Sequence, residues 1–253
     1  MTTRSARRWY SVAEVRRSFG PEKRWAEREG ALPASLIYRP ISFWLTPPLL
    51  WMGVPPTAVT LASAVISVVL PWVAWAGGAH AYLYVALLGL IFHVCDCLDG
   101  NLARTAEQTS HLGAILDGFV DSCFRAGILA AIGVLACRSG GGGLVATHGL
   151  EVGLGIALLF LLSRVIRDSY ALRFRERPDF SPAAPERLSL TMRLKIAVIG
   201  LEDLYAFAIV AAGWFGAIDR LLAGIAVYTA LITAGAVALV LVQTARKDAQ
   251  RQV

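Results

Sequence analysis

Four aspartates interrupt a strongly apolar stretch of the chain: Asp96, Asp99, Asp117 and Asp121. A carboxylate inside such a segment costs about 2.5–3.5 kcal/mol on insertion scales, so four of them call for a compensating partner. Asp96 and Asp99 are three positions apart, and Asp117 and Asp121 are four apart, so on helices each pair shares a face. The short polar turn from Thr105 to Thr109 predicts antiparallel neighbouring helices that bring both pairs to a similar depth. The result is a cluster of hard oxygen ligands. No histidine or cysteine is suitably placed on those faces, which favours Mg2+ or Mn2+ over zinc.

The residues between the carboxylates suit a phosphate ligand. The stretch reads Asp96-x2-Asp99-Gly100-x2-Ala103-Arg104-x8-Gly113-x3-Asp117-x3-Asp121. Gly100 and Ala103 remove bulk where a ligand or second helix approaches, and Gly113 mirrors Gly100 on the opposing helix. Arg104 adds a forked cation at the membrane–water boundary. A nucleotide diphosphate fits a cavity with these components.

The elements that position these groups follow from composition. The chain has 253 residues, 56% hydrophobic and 17% charged, whereas a soluble domain is about one quarter charged. Six long apolar segments run over 57–77, 81–105, 110–137, 148–174, 196–215 and 218–244. Each is near or above the ~20 residues that cross a bilayer core. The expected fold is therefore an all-α membrane protein with six spans. Before them lie an amphipathic stretch, residues 9–30, and an aromatic segment from Leu36 to Gly53. Pro47 and Pro48 break that segment, which reads as a helix in the interface plane rather than a span. No signal peptide is evident in the polar, basic first 30 residues. The expected units are a cytoplasmic N-terminal segment (1–36), the interfacial helix with six spans (37–245), and a basic tail (246–253).

Charge sets the orientation. Nine of the 24 Lys and Arg residues precede Thr57, and Arg246, Lys247 and Arg251 close the chain. Six spans with both termini in the cytoplasm leave only Arg138 and Arg220 in the outer loops, as the positive-inside rule requires. Blocks of basic residues flanking apolar runs mark an anionic membrane face, not nucleic acid. The inner (plasma) membrane is the expected location. Cys95, Cys97, Cys123 and Cys137 have no zinc-type spacing and read as small buried residues.

The string from Asp96 to Asp121 matches, at every fixed position, the signature of the CDP-alcohol phosphotransferase family, and the chain resembles that family over most of 37–245. Pro56-Thr57-Ala58-Val59-Thr60 resembles the family's entry to the first span, with Thr57 where Asn is usual. Arg39-Pro40-Ile41-Ser42 resembles a subgroup some of whose members use CDP-inositol. The resemblance implies one or two divalent metals on Asp96, Asp99, Asp117 and Asp121, with Asp121 as general base. It implies CDP contacts from Thr60, Asp99, Gly100, Ala103, Arg104, Ser110 and Gly113. It further implies an acceptor pocket around Arg164, Arg167, Arg193 and Lys195, for which plain topology anchoring is an equal reading. The expected reaction moves phosphatidyl from CDP-diacylglycerol to a polar alcohol or alcohol phosphate, releasing CMP in phospholipid synthesis. Homodimers are common in the family.

Other readings remain open. A soluble CDP-alcohol such as CDP-inositol can be the donor, because the signature reads CDP and metal, not the acceptor. Intramembrane carboxylates also mark ion or proton pathways, and a silent binder can keep an enzyme scaffold. Glu202 and Asp203 are candidate partners for the basic residues of the acceptor pocket. His93 reads as a packed histidine, His111 as a turn residue, and Trp72, Trp75 and Trp214 as interface anchors.

Overall fold

The structure, a computed structural model, describes residues 9–21, 23, 24, 27, 33–140, 143–174 and 200–251. Every regular element among them is helical. Helix α1 covers Val12–Ser18. A π-helical turn at Ala34–Tyr38 runs into α2, Arg39–Met52. The long helices follow as α3 (Pro56–Ala76), α4 (Ala81–Thr105) and α5 (His111–Arg138). After a short α6, Leu144–Thr147, come α7 (Gly149–Phe174), α8 (Tyr205–Trp214) and α9 (Ile218–Arg251).

Five of these segments are long and apolar enough to cross a membrane: Pro56–Ala76, Gly78–Thr105, His111–Arg138, Gly149–Phe174 and Ile218–Gln250. They match five of the six expected spans. The segment expected at 196–215 is described only from Gly200, as a 3-10 stretch to Leu204 and the ten residues of α8. Trp72, Trp75 and Trp214 are exposed, as interface anchors must be.

Two sequence expectations change. Pro47 and Pro48 do not break the aromatic segment, because α2 runs through both and stops at Gly53, whose left-handed φ of 75° ends the helix. The second difference shapes the site. Although α4 and α5 are consecutive, their backbones touch little, and each packs far more extensively against α3. Between them the contact is made by side chains, with the Phe92 and Phe124 rings stacked at 3.7 Å.

Glycine allows the close packing. A Cβ on Gly127 of α5 would lie 2.2 Å from the Ser67 carbonyl oxygen of α3. One on Gly153 of α7 would lie 2.6 Å from the Leu129 carbonyl oxygen of α5. In lipid, where apolar burial drives helices together weakly, such small-residue crossings supply the packing. The core they enclose includes Leu70, Val85, Phe92, Phe124, Ile128, Ile132, Ile209 and Leu222.

We expect Gly127→Ala to destabilise the bundle by about 1–3 kcal/mol, since the two backbones must separate to admit a methyl. Gly155→Ala, with nothing within 4 Å of its Cβ, should be neutral. Thermal unfolding of both variants in detergent checks the contrast.

Candidate functional site

Where the 106–110 turn joins α4 to α5, a cavity of about 420 Å³ opens between the helix ends. Helix α3 supplies Pro56, Thr57 and Thr60 from its first turns. Asp96, Asp99, Gly100, Ala103 and Arg104 enter from α4, and Gly113, Ala114 and Asp117 from α5, with Ser110 just before it. Every expected CDP contact therefore lines one cavity, together with three of the four aspartates.

The carboxylates differ in their surroundings. Asp99 is buried and accepts a hydrogen bond of 2.7 Å from the Thr60 hydroxyl. Asp96 and Asp117 are accessible from the cavity, and neither has a hydrogen-bond or ion-pair partner among the described residues. Asp96 nevertheless feels the charges of Asp117, Asp99 and Asp121. Asp121 does not line the cavity. Its carboxylate accepts from Arg164 Nη1 at 2.7 Å and lies 3.5 Å from Arg125 Nε.

Among the described residues, no three carboxylate, imidazole or thiol side chains converge as a ready-made cage. Two causes are visible: α3 keeps α4 and α5 apart, and Arg164 holds Asp121 aside. The donor chemistry still fits Mg2+ or Mn2+. Mg2+ in particular keeps several waters and binds through one or two carboxylates plus substrate phosphates. Asp96 and Asp117 are two carboxylates of that kind.

The small residues act partly through their own chain. A Cβ on Gly100 would stand 3.0 Å from Arg104 Nη1, so glycine lets the guanidinium fold back along α4. Ser110 is the N-cap of α5, its hydroxyl accepting from the Gly113 amide at 3.0 Å. A Cβ on Gly113 would lie 3.1 Å from that hydroxyl.

Several residues at the site went unrecognised in the sequence. Lys23 and Arg39 line the cavity, although both precede the first long apolar helix. Arg39 donates from Nε and Nη2 to Glu27, and from Nη1 to the Cys97 carbonyl at 2.8 Å and Asn101 Oδ1 at 3.2 Å. Asn101, fully buried, also accepts from Arg104 Nη2 at 3.0 Å and donates to Ser42 Oγ at 2.9 Å. A polar amide one position past Gly100 in an apolar helix is the signal that marked it.

The basic residues expected around an acceptor divide. Arg164 binds Asp121 and lies 3.8 Å from Asp168, and Arg167 donates to the Ser163 carbonyl of its own helix. Neither lines the cavity. Arg193 and Lys195 lie outside the described residues. Within the described residues, Glu202 and Asp203 pair with Arg125 of α5 rather than with Arg164 or Arg167. Arg125 forms an ion pair with Glu202 and stands 3.7 Å from Asp203. His93 is packed as expected, stacked on Tyr38 at 4.8 Å with the edge of Phe124 at 5.1 Å.

The family model described as CDP-alcohol phosphatidyltransferase matches residues 54–245, well over half the chain. Comparison with curated proteins yields no match.

Arg125→Ala would strand two carboxylates against one another inside the protein. Breaking a buried pair in this way costs about 3–5 kcal/mol. We expect a lowered thermal midpoint in detergent, partly recovered in Arg125→Lys, which keeps the charge but loses the fork.

Proposed function

Because the chain belongs to the CDP-alcohol phosphatidyltransferase family, we propose that this membrane transferase moves phosphatidyl from CDP-diacylglycerol to a polar alcohol or alcohol phosphate, releasing CMP. The observation that carries this reading is the single cavity in which unpartnered carboxylates face Gly100, Ala103 and Arg104. Its place at the ends of apolar helices supports a lipid donor. Acyl chains can lie between the helices while the nucleotide stays at the water boundary, on the cytoplasmic side by the distribution of basic residues.

Asp96, Asp99, Asp117 and Asp121 would hold one or two Mg2+ or Mn2+ ions. Bound there, the metal would neutralise the diphosphate and make CMP a better leaving group. The chain's own groups do the rest. Thr60 fixes the Asp99 carboxylate by its hydrogen bond. Arg104 and the small residues beside it receive the diphosphate, and Asp121 takes the proton of the acceptor hydroxyl. The acceptor oxygen then bonds to the phosphorus bearing diacylglycerol as the bond from that phosphorus to CMP breaks, CMP leaving with the electron pair. Arg164, already on Asp121, would orient an anionic acceptor beside the base. A soluble CDP-alcohol such as CDP-inositol meets the same walls, which the substrate panel below resolves.

Protein purified in detergent should release CMP from CDP-diacylglycerol when offered inositol phosphate, glycerol phosphate or serine, and only with Mg2+ or Mn2+. Turnover that survives EDTA, or ion flux without CMP release, rejects the reading. Asp121→Asn should keep CDP affinity while turnover falls about 10²–10⁴-fold, the range for a lost general base.

A further inference from the structure

One wall of the cavity comes from outside the family match, which starts at residue 54. The N-terminal segment is docked on the bundle rather than tethered to it. Ser18 and Thr105 hydroxyls meet at 2.9 Å. The buried Phe19 ring lies under two guanidiniums, with Arg39 at 4.5 Å and Arg104 at 5.3 Å from its centroid. Phe19 also meets Phe43 edge-on at 5.8 Å. These contacts carry the chain to Lys23, which reaches the cavity.

The cations that line the cavity are not equivalent. Arg39 is spent: Nε, Nη1 and Nη2 all donate within the protein, and Glu27 cancels its charge. Lys23 has no hydrogen-bond or ion-pair partner among the described residues. Arg104 is only part-used, its buried Nε lacking a partner. Lys23 and Arg104 thus line one cavity with Asp96 and Asp117, two carboxylates that have no partner among the described residues. Partial burial and repulsion from Arg104 and Arg39 push the Lys23 ammonium below its ordinary pKa, which shows how closely the positive charges converge.

We propose that Lys23 is a substrate-binding residue, completing with Arg104 an anion subsite for the diphosphate of the CDP donor; this rests on the reading of the cavity as a CDP site. A diphosphate is the ligand that complements both sets of charges. Its oxygens take charge-assisted hydrogen bonds from Lys23 and Arg104 and can share a cation with the carboxylates of the same cavity.

Isothermal titration of the purified full-length protein with CDP in Mg2+ tests this, with glycerol 1-phosphate as a second arm. Lys23→Ala should weaken CDP about tenfold, a loss in keeping with one charge-assisted hydrogen bond at an accessible site. Glycerol 1-phosphate affinity should not change, and Lys23→Arg should recover most of the loss. The thermal midpoint should hold, since the ammonium bonds to no other side chain among the described residues. Unchanged CDP affinity in Lys23→Ala overturns the subsite, as does a loss confined to glycerol 1-phosphate, or a wild type that does not bind CDP. Lys23-dependent CDP binding by a protein that releases no CMP from any CDP-alcohol would reject the proposed reaction and leave the subsite standing. Normal CDP binding by a Lys23→Ala enzyme that still turns over rejects the subsite alone.

Discussion

The crossing of α3 and α5, where the Ser67 carbonyl sits against Gly127, sets the width of the polar cavity several turns away. Helix α3 lies along both α4 and α5, so neither can close on the other. The stacked Phe92 and Phe124 rings then act as a spacer between them. Beyond that spacer the helices end at their turn with a gap between, and the gap is where Asp96, Asp99 and Asp117 look out. A larger residue at 127 would move α3 and so alter the distance between carboxylates it never touches. Packed interiors pass on such shifts because they have little free volume to absorb them.

Charge in this setting sorts itself by role. Arg39 with Glu27, and Arg125 with Glu202 and Asp203, each tie separate segments of the chain together. These pairs act as rivets between helices. Removing one member would leave its partner unsolvated in a medium of low dielectric, so each pair fixes the relative placement of what it joins. Lys23, Asp96 and Asp117, which have no hydrogen-bond or ion-pair partner among the described residues, line one cavity. Keeping ionic groups unpaired beside apolar helices is costly, and the cost is sustained where water or a charged ligand reaches them. Among the described residues, then, the paired charges named above join parts of the fold, while Lys23, Asp96 and Asp117 are left at the cavity.

Local features were the legible ones. Five apolar helices, the face shared by each aspartate pair and the packed His93 all depend on spacing within one segment, where periodicity speaks directly, although His111, read as a turn residue, is the first residue of α5. The misreadings were of long-range geometry. That α3 rather than the adjacent turn governs the separation of α4 and α5 depends on a crossing between residues 60 positions apart, which no local pattern encodes. The role of Arg125 likewise depends on the 3-10 turn at Glu202 and Asp203, brought beside it from 77 positions away. The N-terminal stretch reads as amphipathic, but where its apolar side packs is again long-range: Phe19 and Val15 are buried against the bundle. Pro47 and Pro48 lie within α2 for a different reason: a helix on the edge of a bundle can tolerate the missing amides where water or neighbouring groups satisfy the freed carbonyls.

Asp121 brings these strands together. As the proposed general base it must reach an acceptor hydroxyl, but its carboxylate is held by Arg164. The pair is partly accessible, with about a third of the Asp121 side chain exposed. Ion pairs with that degree of exposure contribute about 1 kcal/mol or less, so exchanging partners is thermally easy. Asp121 also lies one helical turn from Asp117, on the same face of α5, so a change of rotamer rather than of backbone turns it toward the cavity. The pair with Arg164 therefore holds the carboxylate in place at rest without locking it away. An acceptor that carries its own negative charge can take over Arg164, and doing so releases Asp121 at the moment an acceptor hydroxyl is present.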